Sequence, residues 1–263
     1  MSVFYPPGLE VNNKYLKRIP YSQNVKILKT KLKFKLHAQD NPIAHFSKAE
    51  TIFVRIPKNA SSSLFQLLFP ETKYELPHYS AEFYKTLFPD YYQKWLVFAP
   101  LRNPLDRIAS AFTYYRSYTK VPAEKKLMEE KYSFLKTFED FVHWFNDVEH
   151  IEEQEMMRWS HFRKQTDYIC DANNNVIVDL LFPVEDMERG LELLHKRYHF
   201  TEEVPHKNKS APQKYDKLPV KAIERYFSED FKIWNQAIND KIIFNHNNKP
   251  GLNLPEENSV SYA

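Results

Sequence analysis

The sequence predicts an α/β domain in which helices flank a central, mainly parallel sheet. Short apolar segments of strand length alternate along the chain with segments whose apolar residues recur at helical spacing. This alternation is typical of parallel strands joined by crossover helices. Of the 263 residues, 43% are hydrophobic and 27% are charged, so the chain can bury a substantial core.

The first predicted unit is a strand, a polar turn and a helix N-terminus. The run Thr51–Pro57 (TIFVRIP) is apolar, rich in β-branched residues and ended by proline, as expected of a buried strand. Six small or polar residues (KNASSS) follow it, and Ser63–Phe69 then places apolar residues at helical spacing.

The second predicted unit repeats this order. Lys94–Arg102 (KWLVFAPLR) is a largely continuous apolar run, and Asn103–Tyr118 has the pattern of a helix. Asn103 is a good N-cap, and Pro104 occupies the first helical position, where a missing N–H costs nothing.

Later segments complete the predicted architecture. They are an amphipathic helix at Thr137–Val148, two strands around the D-A-N-N-N turn within 167–182, a helix at Glu185–Arg197 and a last long helix at Leu218–Ile238.

Three regions are expected along the chain. Residues 1–50 form a basic N-terminal arm, because eight Lys or Arg and no Asp or Glu lie between Val11 and Gln39. Residues 51–245 form the α/β domain, and residues 246–263 form a polar tail. The role of the arm stays open between a solvated segment and a surface for an anionic ligand.

Composition excludes several classes of protein. With glycine only at positions 8, 190 and 251, neither a dinucleotide-binding G-x-G-x-x-G nor a Walker-type phosphate loop can be written. The single cysteine, Cys170, excludes an intrachain disulfide and a cysteine-rich zinc site. We see no signal peptide and no apolar run of the roughly 18 residues that a membrane span needs, so we expect a cytoplasmic protein.

Polar turns follow both predicted strands, at the sheet edge where open α/β folds bind ligands. In the first turn, Lys58 and three serines precede or begin a helix. Backbone N–H groups, hydroxyls and a full positive charge meet there, which favours a phosphate or sulfate. Capping needs only one serine, so an anion site explains this turn better than an ordinary helix cap.

The second turn offers a matching set. Arg102 ends the second strand, and Ser110 lies two turns into the helix that follows. Arg107 shares a helix face with Ser110, and a guanidinium beside a hydroxyl suits a second phosphate. The alternative is that Arg107 pairs with a neighbouring acid and Ser110 only packs.

Both turns resemble motifs of the sulfotransferases that use 3′-phosphoadenosine 5′-phosphosulfate (PAPS). The segment IPKNASSSL (56–64) is similar to the 5′-phosphosulfate loop of the carbohydrate branch, the heparan and chondroitin type. LRNPLDRIASAF (101–112) is similar to the 3′-phosphate motif, in which a serine follows the arginine by eight positions. Segments 178–188, 205–210 and 225–234 resemble the family's C-terminal half.

The resemblance implies a single P-loop-like domain and an activity. The enzyme would move the sulfo group of PAPS to an acceptor hydroxyl by in-line displacement with a general base. It would release adenosine 3′,5′-bisphosphate and need no metal.

The resemblance also implies roles for individual residues. Lys58 is catalytic and contacts the bridging oxygen and the 5′-phosphate, and the rest of the loop binds the donor: Asn59, Ala60, Ser61, Ser62 and Ser63. Arg102 and Ser110 hold the 3′-phosphate. Lys209 and Ser210 lie in a loop that covers the nucleotide. The chain departs from the family where a glycine or threonine is common, at Asn59, Ala60 and Ser62.

His78 is the predicted general base, because a group that titrates near neutrality suits deprotonation of a hydroxyl. Glu71 and Glu75 are rival bases. His161 is a candidate for contact with substrate, whereas His143 is expected to pack within its amphipathic helix.

The expected partner is a hydroxyl acceptor, a glycan or glycolipid, and not a nucleic acid. Aromatic and basic side chains near the predicted cleft would suit sugar rings and acidic groups: Tyr114, Tyr115, Tyr118, Arg116, Lys120, Arg163 and Lys164. Alternatives are a nucleotide kinase with a degenerate loop, a non-catalytic module that binds nucleic acid or another polyanion through residues 14–35, and a domain that binds nucleotide without turnover.

Overall fold

The computed structural model describes residues 46–70, 77–119, 121–198, 215–240 and 243–244. Most of the predicted basic arm and all of the predicted tail lie outside these ranges, so the three-region division stays a prediction. None of the helices within the described ranges has the length and apolar character needed to cross a membrane.

In the described part of the chain, the sheet contains four strands in the order β1-β2-β3-β4. These are β1 (Thr51–Phe53), β2 (Leu96–Leu101), β3 (Leu180–Pro183) and β4 (Ile243–Phe244). The first three are parallel, and β4 pairs antiparallel with β3. Every residue of β1, β2 and β3 is buried, because helices cover both faces of a parallel sheet. The predicted α/β class with a mainly parallel sheet is confirmed.

Helices precede and follow these strands. In chain order they are α1 (Ser61–Leu68), α2 (Ala81–Leu87), α3 (Pro89–Lys94), α4 (Pro104–Ser117), α5 (Pro122–Glu130), α6 (Phe138–Asp147), α7 (Thr166–Ile169), α8 (Met187–Tyr198), α9 (Lys221–Tyr226) and α10 (Ser228–Asp240). Short 3-10 turns lie at Ser47–Ala49, Ile151–Glu153, Glu155–Arg158 and Val184–Asp186.

Side-chain caps fix two helix starts, and the start of α4 agrees with its sequence signals. Asn103 Oδ1 accepts from the N–H groups of Leu105 and Asp106, and Pro104 is the first residue of α4. The side chain of Thr137 accepts from the Asp140 N–H in a capping box, which places the start of α6 one residue later.

Two predicted elements differ. The first arm of the expected hairpin is the short helix α7, and only a single bridge joins Cys170 to Val176. The cause is distant in sequence, because the Asp230 carboxylate accepts from the N–H groups of Gln165 and Thr166 and thereby satisfies the start of α7.

The predicted long helix Leu218–Ile238 is divided into α9 and α10. The backbone leaves helical geometry at Phe227, whose φ is −99° and ψ is 24°. The Phe227 ring is fully buried beside Tyr226. The break in the helix therefore coincides with the burial of this ring. The helical periodicity of the sequence alone does not reveal the break.

The buried apolar side chains of the described residues form two clusters. The first surrounds the sheet, where the rings of Phe53 and Phe98 stack at a centroid distance of 4.8 Å. The second joins α4, α5, α6 and α9 around Phe112, Phe141 and Phe162. Because α4 follows β2 directly, it carries the chain from the first cluster into the second.

Candidate functional site

The turn between β1 and α1 has an unusual backbone. Lys58 and Ala60 both adopt left-handed conformations, with φ of 69° and 53°. A non-glycine residue pays roughly 1–2 kcal/mol for this conformation, so such strain is a common mark of a functional loop. Alternating handedness also gathers successive N–H groups into a concave anion-binding nest.

The N-terminus of α1 is open to a ligand. Among the residues that the structure describes, no side chain caps its first N–H groups, although three serines begin the helix. Ser61 is buried, Ser62 is exposed and Ser63 is half-buried. The free dipole end and the Ser62 hydroxyl therefore fit the anion site that the sequence predicts.

Asn59 has a different environment from its neighbours. Its side chain is fully buried, and its Nδ2 donates to Pro100 O at 2.8 Å and to Gln165 Oε1 at 2.6 Å. The side chain of Asn59 thus anchors the loop to the end of β2.

Arg102 joins the two predicted turns. Its Nη1 donates to Lys58 O at 3.0 Å, so the end of β2 and the loop after β1 are in direct contact. Arg102 and Ser110 are both partly exposed. This bond places Arg102, one of the two residues predicted to hold the 3′-phosphate, beside the predicted 5′ loop.

Arg107 is not an anion ligand. It is fully buried, and its guanidinium donates to His161 O at 3.0 Å and to Arg163 O at 2.6 Å. It also lies 3.9 Å from the Asp230 carboxylate. The interpretation of Arg107 as a partner of Ser110 is therefore wrong, because these internal acceptors use its donors.

His78 lies in the segment before α2, against the backbone of the strand that leads to the loop. Its Nδ1 is 2.8 Å from Arg55 O. A carbonyl oxygen only accepts hydrogen bonds, so Nδ1 carries the proton, and in the neutral ring Nε2 carries the lone pair. This tautomer is the one that a general base acting through Nε2 requires.

His161 is a second histidine of the same site. Its ring centroid lies 5.7 Å from that of His78. Two hydroxyls converge on its Nδ1, Tyr115 Oη at 2.8 Å and Ser160 Oγ at 3.4 Å. Desolvation, followed by the charges of His78, Lys58 and Arg107, lowers the pKa of His161 to about 3.

These contacts define the chemistry of His161. In the tautomer in which Nδ1 accepts from these hydroxyls, the proton of the neutral ring lies on Nε2. His161 therefore stays neutral at physiological pH and presents an N–H donor, and it is unsuited to be the base.

Lys58 belongs to the same group of side chains. Its Nζ lies 5.0 Å from the centroid of the Tyr114 ring, and that ring stacks on His161 at 4.5 Å. Burial, with a smaller contribution from the Arg102 charge, lowers the pKa of Lys58 to about 8. A desolvated cation of this kind gains strongly from an incoming anion.

Several other predicted residues have ordinary surroundings. Tyr118 and Arg116 are exposed, whereas Lys164 Nζ lies 4.4 Å from the Tyr226 ring centroid. His143 is exposed and lies 3.9 Å from the Glu139 carboxylate, so the expectation that it packs is wrong. Five predicted residues lie outside the described part of the chain: Glu71, Glu75, Lys120, Lys209 and Ser210.

Sequence reasoning missed Gln165 and Asp230. Gln165 is buried and lies in RKQTD, where no pattern marks it. Asp230 is buried inside α10, and the only available signal was an acidic residue on the apolar side of an amphipathic helix. Within the described ranges, no three His, Cys, Asp or Glu side chains are grouped to hold a metal.

Comparison with known proteins identifies a family. A family model described as "Sulfotransferase family" matches residues 41–241, which is most of the chain. No curated protein and no solved structure shows a significant match.

Proposed function

Because this chain belongs to the sulfotransferase family and is a sulfotransferase, we propose that the site between β1, β2 and α4 transfers the sulfo group of PAPS to a glycan hydroxyl. The family implies PAPS as the donor and a hydroxyl as the acceptor. The observation that carries the proposal is the bond from Arg102 Nη1 to Lys58 O, since it brings the two turns that we propose to bind anions into direct contact.

The residues of this site suit the donor. The uncapped start of α1 and the Lys58 ammonium would hold the 5′-phosphosulfate, and Arg102 with Ser110 would hold the 3′-phosphate. Lys209 and Ser210 complete the proposed donor contacts. When bound, PAPS supplies the sulfo group: its S–O bond to the phosphate breaks while the acceptor oxygen bonds to sulfur.

His78 is the proposed base, and the neighbouring His161 is proposed to assist the same step. His78 Nε2 accepts the acceptor's hydroxyl proton while Nδ1–H stays bonded to Arg55 O. His161 would offer a neutral N–H donor, and the Lys58 ammonium would balance negative charge on the departing phosphate.

Nucleotide binding is the first test. Calorimetric titration with adenosine 3′,5′-bisphosphate is expected to show binding to the wild-type protein. Arg102→Ala should weaken it by roughly 2–5 kcal/mol if the charge pair is desolvated. Ser110→Ala should weaken it by less, and Ser117→Ala, an exposed serine of the same helix, should not change it. Wild-type protein that does not bind the bisphosphate would contradict the proposal.

The base is tested separately. His78→Asn replaces the imidazole but retains a side-chain donor for Arg55 O, so we expect loss of transfer with bisphosphate affinity near wild type. His143→Asn changes an exposed histidine and serves as the control. Full activity in His78→Asn would exclude His78 as the base.

The acceptor class requires a screen. Neutral oligosaccharides, sulfated glycosaminoglycan fragments and glycolipids would each be offered with PAPS at low and high salt. Transfer to sugars supports the proposal, and transfer only to non-sugar hydroxyls would contradict its glycan part. Salt-sensitive turnover of anionic acceptors would indicate that basic residues such as Lys164 take part.

A further inference from the structure

The strongest unassigned feature of the site is the Gln165 side chain, which is buried and joins both anion-binding turns. Its Oε1 accepts from Asn59 Nδ2 at 2.6 Å, in the loop after β1. The same oxygen accepts from the Arg102 N–H at 3.1 Å, and Nε2 donates to Arg102 O at 2.9 Å. One carboxamide therefore holds both turns.

The bonds to Arg102 replace a neighbouring strand. The backbone pairing of β1 with β2 ends with the bond from Val54 N to Phe98 O. Beyond it, the β2 end needs other partners for its peptide groups. Asn59 Nδ2 bonds to Pro100 O, and Gln165 bonds to both peptide groups of Arg102, so side chains continue the ladder where β1 leaves it.

Gln165 is itself held rigidly. Its N–H donates to Asp230 Oδ2 at 2.7 Å, and the carboxylate lies 3.9 Å from the buried Arg107 guanidinium. Arg107 belongs to α4, the helix that also carries Ser110. The network thus runs from the first turn through Gln165 to the helix of the second turn.

We propose that Gln165 is the positioning residue that fixes the separation between the 5′- and 3′-phosphate pockets. This inference rests on the proposed function. A ligand with two phosphates gains from both pockets only if their separation matches its own, because the second contact is then intramolecular. Gln165 accordingly contributes to selection of donors that carry a 3′-phosphate.

The test compares two nucleotides on one variant. Gln165→Met retains side-chain length but removes all three hydrogen bonds, and Gln236→Met, at an exposed position of α10, is the matched control. Affinities for adenosine 3′,5′-bisphosphate and for adenosine 5′-monophosphate would be measured by calorimetry.

We expect Gln165→Met to bind the bisphosphate at least about tenfold more weakly, while the monophosphate affinity changes by no more than about twofold. Amide hydrogen exchange of the ligand-free variant should accelerate at Arg102 and in the loop 57–63 and remain slow in the core of the sheet. The control should match the wild type in both measurements.

Two outcomes would overturn the assignment. One is an unchanged ratio of the two affinities, which includes an equal loss for both nucleotides, and the other is unchanged exchange at Arg102. Wild-type protein that fails to bind the bisphosphate would instead contradict the proposed function, so the two failures are distinguishable.

Discussion

Lys58 shows how a single residue can be costly to the fold and suited to binding. Its backbone is left-handed at φ 69°, and its ammonium is partly desolvated beside Arg102. Both features raise the free energy of the ligand-free folded protein. An anionic ligand would offset the second of them, which is why these features favour a binding role over a structural one.

Replacement of this lysine should therefore stabilise the empty protein. Because burial lowers the Lys58 pKa from 10.5 to about 8, its charge opposes folding, and Lys58→Met should raise the free energy of unfolding at pH 7 by about 1–3 kcal/mol while abolishing transfer. The gain should be complete below pH 8 and decline between pH 8 and 10.5, where the folded wild-type lysine is already neutral.

Chemical denaturation at pH 7 and at pH 10 measures this effect. Lys232→Met, which removes an exposed lysine paired with Glu229, is the control and should change stability little at either pH. Destabilisation by Lys58→Met at pH 7 would show that the ammonium makes favourable contacts in the empty site.

The same titration should control binding. The Lys58 ammonium attracts phosphate, so bisphosphate affinity should fall as pH rises above about 8, the pKa in the empty protein. Lys58→Arg keeps its charge at alkaline pH and should show a flatter profile between pH 8 and 10. Equal pH dependence in both proteins would remove Lys58 as the source.

At the scale of the elements, Gly190 sets how closely α8 approaches the sheet. A Cβ at this position would clash with the Phe182 ring of β3. Gly190→Ala should therefore destabilise the protein by about 1–3 kcal/mol despite the better helix propensity of alanine. Glu192→Ala, at an exposed position of α8, is the control. Thermal unfolding compares them, and a higher melting temperature for Gly190→Ala would contradict this packing.

Local sequence signals predicted the elements that depend on local physics. Buried strands appear as apolar runs, and α4 begins where Asn103 and Pro104 indicate. The start of α7 depends on Asp230, more than sixty residues away, and no local pattern contains that information.

The same distinction applies to the candidate site. The two turns were predicted because each is a continuous motif. The role of Gln165 and the neutral state of His161 were not predicted, because each depends on partners that only the fold brings close.

For the whole molecule, the buried pair of Arg107 and Asp230 joins α4 to α10. Both groups are fully removed from water, and desolvation is the largest influence on each, lowering the pKa of Arg107 and raising that of Asp230. Such a pair adds little net stability compared with apolar residues, but loss of one partner leaves a buried charge uncompensated.

Arg107→Met should therefore destabilise the protein by about 3–5 kcal/mol, because it leaves the Asp230 carboxylate without its cation. Lys126→Met breaks the exposed pair with Glu130 and should cost no more than about 0.5 kcal/mol. Denaturant unfolding measures both. Similar costs for the two variants would show that the buried pair is not coupled to global stability.

The boundary between the two apolar clusters has a consequence for the motions of the protein. The β1 loop extends from one cluster, while Arg107 and His161 belong to the helical side of the other. A nucleotide bound across that boundary would link the two clusters reversibly. In the ligand-free enzyme we then expect larger fluctuations at this boundary than within either cluster. A bound nucleotide that spans the boundary should reduce these fluctuations.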